Sequence, residues 1–222
     1  MNNLKTTSGV MVLLLIGACG ANDSVAADTA DSMKKTAASV AAMSSDSVLK
    51  NVPAGQYGLD KTHAYINFSF LHMGFSRPIV GFKAFDVDLD LASDISKSSL
   101  DVTIDVNSID SRVARFDKHL VSDDMFDTAN FPNATFKSTS FMMTSFDTVD
   151  ITGDLTIKDV TRPVTLNAKI NKAGNNPRRN IPMIGVSATA EFKRSDFGVS
   201  YGVPNVGDDV TIRIEVEMPK AD

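Results

Sequence analysis

Ala64-Tyr-Ile-Asn-Phe-Ser-Phe70 and Phe85-Asp-Val-Asp-Leu-Asp-Leu91 decide the fold. In the first run Ala64, Ile66, Phe68 and Phe70 share one face, and Tyr65, Asn67 and Ser69 the other. In the second, Phe85, Val87, Leu89 and Leu91 interleave with Asp86, Asp88 and Asp90. Leu100, Val102, Ile104 and Val106 alternate with Asp101, Thr103 and Asp105. Val210, Ile212, Ile214, Val216 and Met218 alternate with Thr211, Arg213, Glu215 and Glu217. A period of two means strands with one dry and one wet face. About eight such strands with little helix must bury their dry faces against each other, and a closed antiparallel barrel does so without leaving edges. A barrel of about eight strands has room for its own side chains or for one small ligand. The fold class expected is therefore all-β: an elongated eight-stranded antiparallel barrel with one inserted helix.

Outward from these runs, the second strand reads as one long element from Ile79 to Leu91, with a phase slip between Phe82 and Phe85 that suggests a bulge. Further strands read at 134–141, 149–157, 164–170, 183–192 and 209–218. Gly174, Asn175, Asn176 and Pro177 make 171–182 a loop. Alternation fails over 110–131, where Val113, Phe116, Leu120 and Val121 have helical spacing. One helix is expected there, ending in the turn-rich Ser122 to Pro132, and plugging a barrel end or packing on its side.

The chain of 222 residues fits one large β domain plus a leader. Its net charge of −5 argues against a nucleic-acid partner, which needs a basic face. The single cysteine, Cys19, follows the apolar run Val10 to Ala18, too short to span a bilayer and of signal-peptide length. Gly17-Ala18-Cys19 is similar to a bacterial lipobox. The organisation expected is a lipoprotein signal peptide over 1–18, a lipidated Cys19 with a flexible Ala/Ser/Asp-rich tether over 19–53, and the barrel over 54–222. A short helix at 34–43 is a minor option within that tether. Two or more acyl chains on Cys19 would give stable anchoring in the cell envelope. Gly20 stands where an aspartate would retain the protein in the inner membrane, which points to the outer membrane.

Three histidines, His63, His72 and His119, allow a zinc site in principle, but no pair has compact ligand spacing, so no metal is assigned. His72 continues the inward phase of Phe68 and Phe70 and reads either as a hydrogen-bonded core histidine or as a polar contact for a head group at the barrel mouth. Asp86, Asp88 and Asp90 read as a solvated face. No nucleophile elbow, phosphate loop or Cys-x-x-Cys occurs, and no catalytic residue is assigned.

Several segments in order resemble one family. They are Tyr57-Gly-Leu-Asp60-Lys-Thr-His63; His72-Met-Gly74 with Gly81-Phe82; Ser108-Ile-Asp-Ser111; His119 to Asp127 with Phe131-Pro132; Gly153 to Leu166; Phe192 to Gly198; and Val206 to Val210. Together they span 56–219 and resemble the YceI-like, polyisoprenoid-binding family. The resemblance implies a lipocalin-like barrel with a helix near one end. It also implies an apolar ligand: a polyisoprenoid, an isoprenoid quinone or its precursor, or a fatty-acid-like chain. Members of the family are typically periplasmic and soluble, and the lipobox departs from that form. Gly153 to Leu166 and Arg194 to Gly198 are read as serving turns and barrel closure, not binding.

The inward phase nominates Phe68, Phe70, His72, Val102, Ile104, Phe136, Leu155, Leu166, Val186 and Ile212 as ligand-lining residues. No cofactor is expected beyond the bound lipid. The partners expected are that lipid and the membrane through Cys19, with a homodimer left open. Function reads as non-enzymatic binding, storage or transport of a long-chain apolar lipid. Two other readings stay open. One is a structural or adhesion domain whose barrel is filled by its own side chains. The other is an enzyme acting on a lipid, with His72 or His119 as base.

Overall fold

Alternation becomes strands wherever the sequence carries it. Residues 47–221 and Lys34 are described in a computed structural model of the chain. The chain divides into units 1–38 and 39–222; of the first only Lys34, helical and exposed, is described. The leader, Cys19 and, apart from Lys34, the tether up to residue 46 lie outside the described residues.

Eleven strands form the second unit: β1 (Gly55–Gly58), β2 (Ala64–His72), β3 (Ile79–Phe82), β4 (Phe85–Leu91), β5 (Ser99–Asp105), β6 (Ile109–Asp110), β7 (Asn133–Met143), β8 (Thr148–Ile157), β9 (Val160–Asn175), β10 (Pro182–Lys193) and β11 (Val206–Pro219). All belong to one antiparallel sheet in the order β1-β4-β5-β7-β8-β9-β10-β11-β2-β3-β6. The ends of that order are not free edges. β1 runs on into β2, β3 into β4, and β5 into β6. Merged in this way the strands number eight and close on themselves, because β2 pairs with both β3 and β11. Tyr57 also bridges to Lys220, joining β1 to the chain just past β11.

The single long strand expected over 79–91 is instead a bent pair. Lys83 and Ala84 leave the ladder, and the two halves take different partners: β3 lies between β2 and β6, β4 between β1 and β5. The bend is held from the neighbouring strand. The Ser108 hydroxyl accepts from the Lys83 N–H (3.2 Å) and the Ala84 N–H (2.9 Å), and donates to the Asp105 carbonyl (2.6 Å).

Three other elements differ from expectation. The loop over 171–182 shrinks to 176–181, because Ala173 turns inward opposite Ile184 and keeps β9 paired to Asn175. The Asn176 side chain accepts from the Arg178 and Arg179 N–H groups and makes that turn. The helix, α1 (Ala114–Leu120), ends ahead of the turn-rich run from Ser122 as expected, but it starts only after Val113 and is about two turns long. Val113 precedes it and is exposed; the residues after it fold into turns such as Asp127 N–H to Ser122 carbonyl. The end of the expected tether is ordered: Val48–Asn51 form a 3-10 turn capped by Ser47, and Val52 is buried in the core.

Two apolar clusters fill the barrel. The larger spans the end near β1 and the β7–β8 hairpin, with Tyr57, Met143 and Ile184 nearly inaccessible. The smaller gathers Phe68, Phe70, Val80, Ile109, Leu120 and Met125 at the other end, beneath α1. Asp86, Asp88 and Asp90 face solvent, as expected.

Gly153 sits where β7 shifts register against β8, and the Phe136 ring occupies the space its Cβ would need, with the Lys137 carbonyl 2.5 Å from that position. Gly153→Ala should cost about 1–3 kcal/mol by overpacking, measured by urea unfolding. Asp60 joins β1 to β2. It accepts from the Thr62 hydroxyl (2.6 Å) and N–H (3.0 Å), and these bonds hold its carboxyl below the ordinary carboxylate range. Its stabilising contribution is therefore present above the unfolded value near 3.9 and lost as pH falls through the lower folded value. Asp60→Asn should be less stable than the parent at neutral pH, with the gap in unfolding free energy closing below about pH 4.

Candidate ligand-binding cavity

The two clusters do not meet everywhere. A cavity of about 400 Å³ opens between them and the α1 end of the barrel. That is within the usual size of small-molecule sites. Several strands present their dry faces to it: Ile66, Phe68 and Phe70 from β2, Val102 and Ile104 from β5, Phe136 from β7, Leu155 and Ile157 from β8, and Ile212 and Ile214 from β11. α1 and its following turn close part of the end with Phe116, Leu120, Met125 and Phe126. The Phe68 ring lies 5.7 Å from Phe82 and 6.2 Å from Phe126, while Phe70 lies 6.4 Å from Phe116. These contacts line the upper cavity with aromatic surface.

A second, wholly apolar cavity of about 90 Å³ lies deeper, lined by residues such as Leu49, Val87, Leu89, Phe141 and Val186. Ile66, Val102, Leu166 and Ile214 border both cavities and form the waist between them.

Among the described residues, polar side chains reach the main cavity at His72, His119, Arg194 and Tyr201. Arg194 is buried and engaged. Its Nε donates to the Gly207 carbonyl (2.9 Å), and its two terminal nitrogens to the Val199 (2.7 Å) and Val206 (3.0 Å) carbonyls. Burial lowers the guanidinium from its usual value, and Asp208 nearby opposes that shift. Arg194 thus pins the connection from the 3-10 turn Arg194–Phe197 to β11, the closing role expected for its motif. Gly198 ends that turn at φ 72°, a left-handed conformation that suits glycine.

Nine of the ten residues nominated from phase line the main cavity: Phe68, Phe70, His72, Val102, Ile104, Phe136, Leu155, Leu166 and Ile212. Val186 does not; it keeps the inward phase of β10 but sits lower on the strand, with Ile184 and Ala188 at the deeper cavity, while Ala190 and Phe192 of the same face reach the main one. His72 stands at the mouth and is exposed, which removes the reading of a buried core histidine. Phase reasoning missed the aromatic wall from Phe82, Phe116 and Phe126, and it missed Tyr201. Phe116 carried a usable signal, being on the apolar stripe of the expected helix. Tyr201 carried none, since it lies in a turn between strands and reaches the mouth by stacking edge-on against His119 at 4.7 Å.

The histidines do not converge. His63 and His72 flank β2, roughly 30 Å apart at the rise of a strand, so they cannot share a metal. Among the described residues neither the His72 nor the His119 ring hydrogen-bonds to a nucleophile or a carboxylate. Asp60, His63 and Glu217 bring ligand atoms within 4.8 Å of one another. Asp60 there is already bound by Thr62 and has the Arg179 guanidinium 3.6 Å away, a cation that competes with a metal ion.

Residues 57–218 match the YceI-like domain family. Protein YceI of Salmonella arizonae is 38% identical over 167 residues, covering 74% of this chain and 86% of that protein, and Protein YceI of Salmonella heidelberg matches equally. Among solved structures, the Campylobacter jejuni YCEI protein superposes with a TM-score of 0.62 at 29% identity, over 67% of this chain and 88% of that one. Burkholderia cenocepacia BcnA gives 0.64 at 23% identity over 72% and 98%. A polyisoprenoid binding domain from Saccharophagus degradans gives 0.57 at 15% identity over 76% and 100%. The last two likenesses concern the fold. With a family match over most of the barrel, and relatives more than one-third identical, the chain belongs to the YceI-like family.

Proposed function

We propose that this protein binds one long-chain apolar lipid inside its barrel, a polyisoprenoid, an isoprenoid quinone or a precursor of one, and stores or carries it at the cell envelope. The observation that carries this reading is the cavity of about 400 Å³ whose walls are aliphatic and aromatic and whose polar groups collect at one end. A chain enters by its tail, and its head group stays near His72, His119 and Tyr201. The Saccharophagus degradans neighbour, a polyisoprenoid binding domain, supports this reading. Burying about 500 Å² of hydrocarbon contributes roughly 12 kcal/mol at about 25 cal/mol per Å². Association costs of about 4–15 kcal/mol offset much of it, leaving room for micromolar or tighter binding. The reading includes a membrane tether through a lipidated Cys19, with 1–18 removed as a signal peptide, and the outer membrane as its destination.

Lipid extracted from the purified protein and weighed by mass spectrometry tests the cargo. Val102→Phe places a ring at the waist and should exclude cargo while leaving the fold intact. Ile104→Asp should lose both cargo and several kcal/mol of stability, since the charge has no partner on that face. Thr103→Asp, on the outer face, should change neither by much. A wild-type protein that holds no lipid after gentle extraction, and takes none up on reloading, would sink the reading. The tether has its own test. Cys19→Ser should move the protein from the membrane fraction to the soluble fraction, and retention of the serine variant after a salt wash would remove the anchor.

A further inference from the structure

The mouth of the cavity is bordered by three segments. The β2–β3 hairpin, 71–79, brings His72 to the opening. The loop ahead of β11 brings Tyr201 and Val206, and Val206 pairs with His72. α1 brings Phe116 and His119, the latter packed on Tyr201. Nine large apolar side chains stand out as exposed among the described residues; five of them, Leu71, Met73, Phe75, Ile79 and Tyr201, lie on these segments, and a sixth, Val113, directly precedes α1. Phe75 at the hairpin tip is 89% exposed, the highest of the nine. The other three, Tyr65, Met142 and Phe146, lie on a barrel wall and at the β7–β8 hairpin of the far end. An apolar collar around a hole is not what solubility favours, and it marks an interaction site.

Charge indicates which kind. The chain carries net −5, yet the hairpin holds Arg77 and no acid. Arg77, Arg115 and Lys118 make no ion pair among the described residues. On the α1 side Asp110 pairs with Lys83 at 2.9 Å, while Asp117 keeps its charge, its Ser111 N–H donor at 2.7 Å being neutral; the hairpin is the segment that joins exposed apolar tips to a cation and no acid. Asp123 and Asp124, in the turn after α1, remain exposed. Exposed aromatic and aliphatic tips flanked by unpaired cations are the composition of a surface that lies in the interface of an anionic bilayer. A protein partner seated on this collar would close the mouth. A bilayer would open it to hydrocarbon, so that a chain could pass between membrane and cavity without crossing water.

We propose that this rim docks on the surface of an anionic phospholipid bilayer, with Phe75 and Met73 entering the acyl boundary and Arg77, Arg115 and Lys118 meeting phosphate head groups. The proposal deepens the lipid-cargo reading and rests on it for its purpose, but docking is measurable without cargo.

The test uses the full chain carrying Cys19→Ser, so that no acyl group contributes. It is sedimented with phosphatidylcholine vesicles, with and without phosphatidylglycerol, and bound lipid is assayed in parallel. The parent should partition onto the phosphatidylglycerol vesicles. Phe75→Ser should weaken partitioning about tenfold or more, since one buried phenylalanine is lost. Tyr65→Ser, equally aromatic and exposed but on the barrel wall, should match the parent. Arg77→Gln combined with Arg115→Gln should abolish the preference for phosphatidylglycerol, and added salt should reduce it. Melting curves show that each variant is folded. Partitioning unaffected by Phe75→Ser, or lost equally with Tyr65→Ser, overturns the docking face. A Phe75-dependent dimer by sedimentation velocity, with no vesicle binding, overturns it in favour of a second copy. Vesicle binding through Phe75 in a protein that never takes up lipid supports docking and removes the cargo; cargo without vesicle binding does the reverse.

Discussion

One hydroxyl holds the geometry on which the barrel depends. Where β3 passes into β4 the chain must change partners on both sides at once, and the Ser108 side chain ties that bend across to its neighbour. The bend separates two registers. Phe82 pairs with Ile66 and Ile109, whereas Phe85 pairs with Ile104 and its half of the strand follows the Gly58–Asp88 register. Each flanking strand therefore carries two extra residues at this level, in the 59–63 turn and in the 3-10 turn Val106–Ser108. An even number preserves the pleat, so the dry face stays dry on both sides of the offset. An odd number would have turned half the barrel inside out.

The waist lies at the same level. Ile66 pairs with Phe82 just above the bend, and with Ile214 on the other side. With Val102 and Leu166 these side chains narrow the interior between the two cavities. Below the waist the barrel is packed as a core, with Tyr57 anchored through its hydroxyl to the Pro53 carbonyl at 2.6 Å. Above it the side chains are large but splayed, and several that count as half-buried, such as Ile104, Leu155 and Ile212, owe their exposure to the cavity. Water there would find few partners, since almost every lining group is hydrocarbon.

Much of this was legible from period two. The inward face of each strand follows from the alternation of residues such as Phe85-Asp-Val-Asp-Leu91, because a half-buried strand leaves no other arrangement. The cavity wall could be named residue by residue for the same reason. Val186 faces inward as its phase requires but lines the deeper cavity, because periodicity fixes the face of a residue and not its height along the barrel. β1 and β6, of four and two residues, are too short to carry a period. The end of α1 was legible in the turn-rich run from Ser122, whereas its start was not, because Val113 shares the apolar spacing yet lies just outside the helix. The mouth was the least legible part. Its residues come from a hairpin, a short helix and an inter-strand loop, and only closure of the barrel brings Tyr201 onto His119.

Arg194 explains why shape outweighs head-group chemistry at this site. A buried cation beside an apolar cavity invites the idea of a phosphate-binding residue. Of the five guanidinium donors, however, three are committed to the carbonyls of Val199, Val206 and Gly207. Drawing the group away to meet an anion would strand those buried carbonyls and release the loop that shapes the mouth, at the cost of several hydrogen bonds to a charged donor. The groups left for a head group are then two imidazoles and one phenol on the rim. None of them carries a fixed charge, and His72 is open to solvent, so each contributes little to discrimination. If the cavity holds a lipid as proposed, selection would fall to the aromatic wall and the waist, which limit the width and length of a chain. A site built in this way would accept a class of lipids defined by hydrocarbon shape rather than one lipid defined by its polar end.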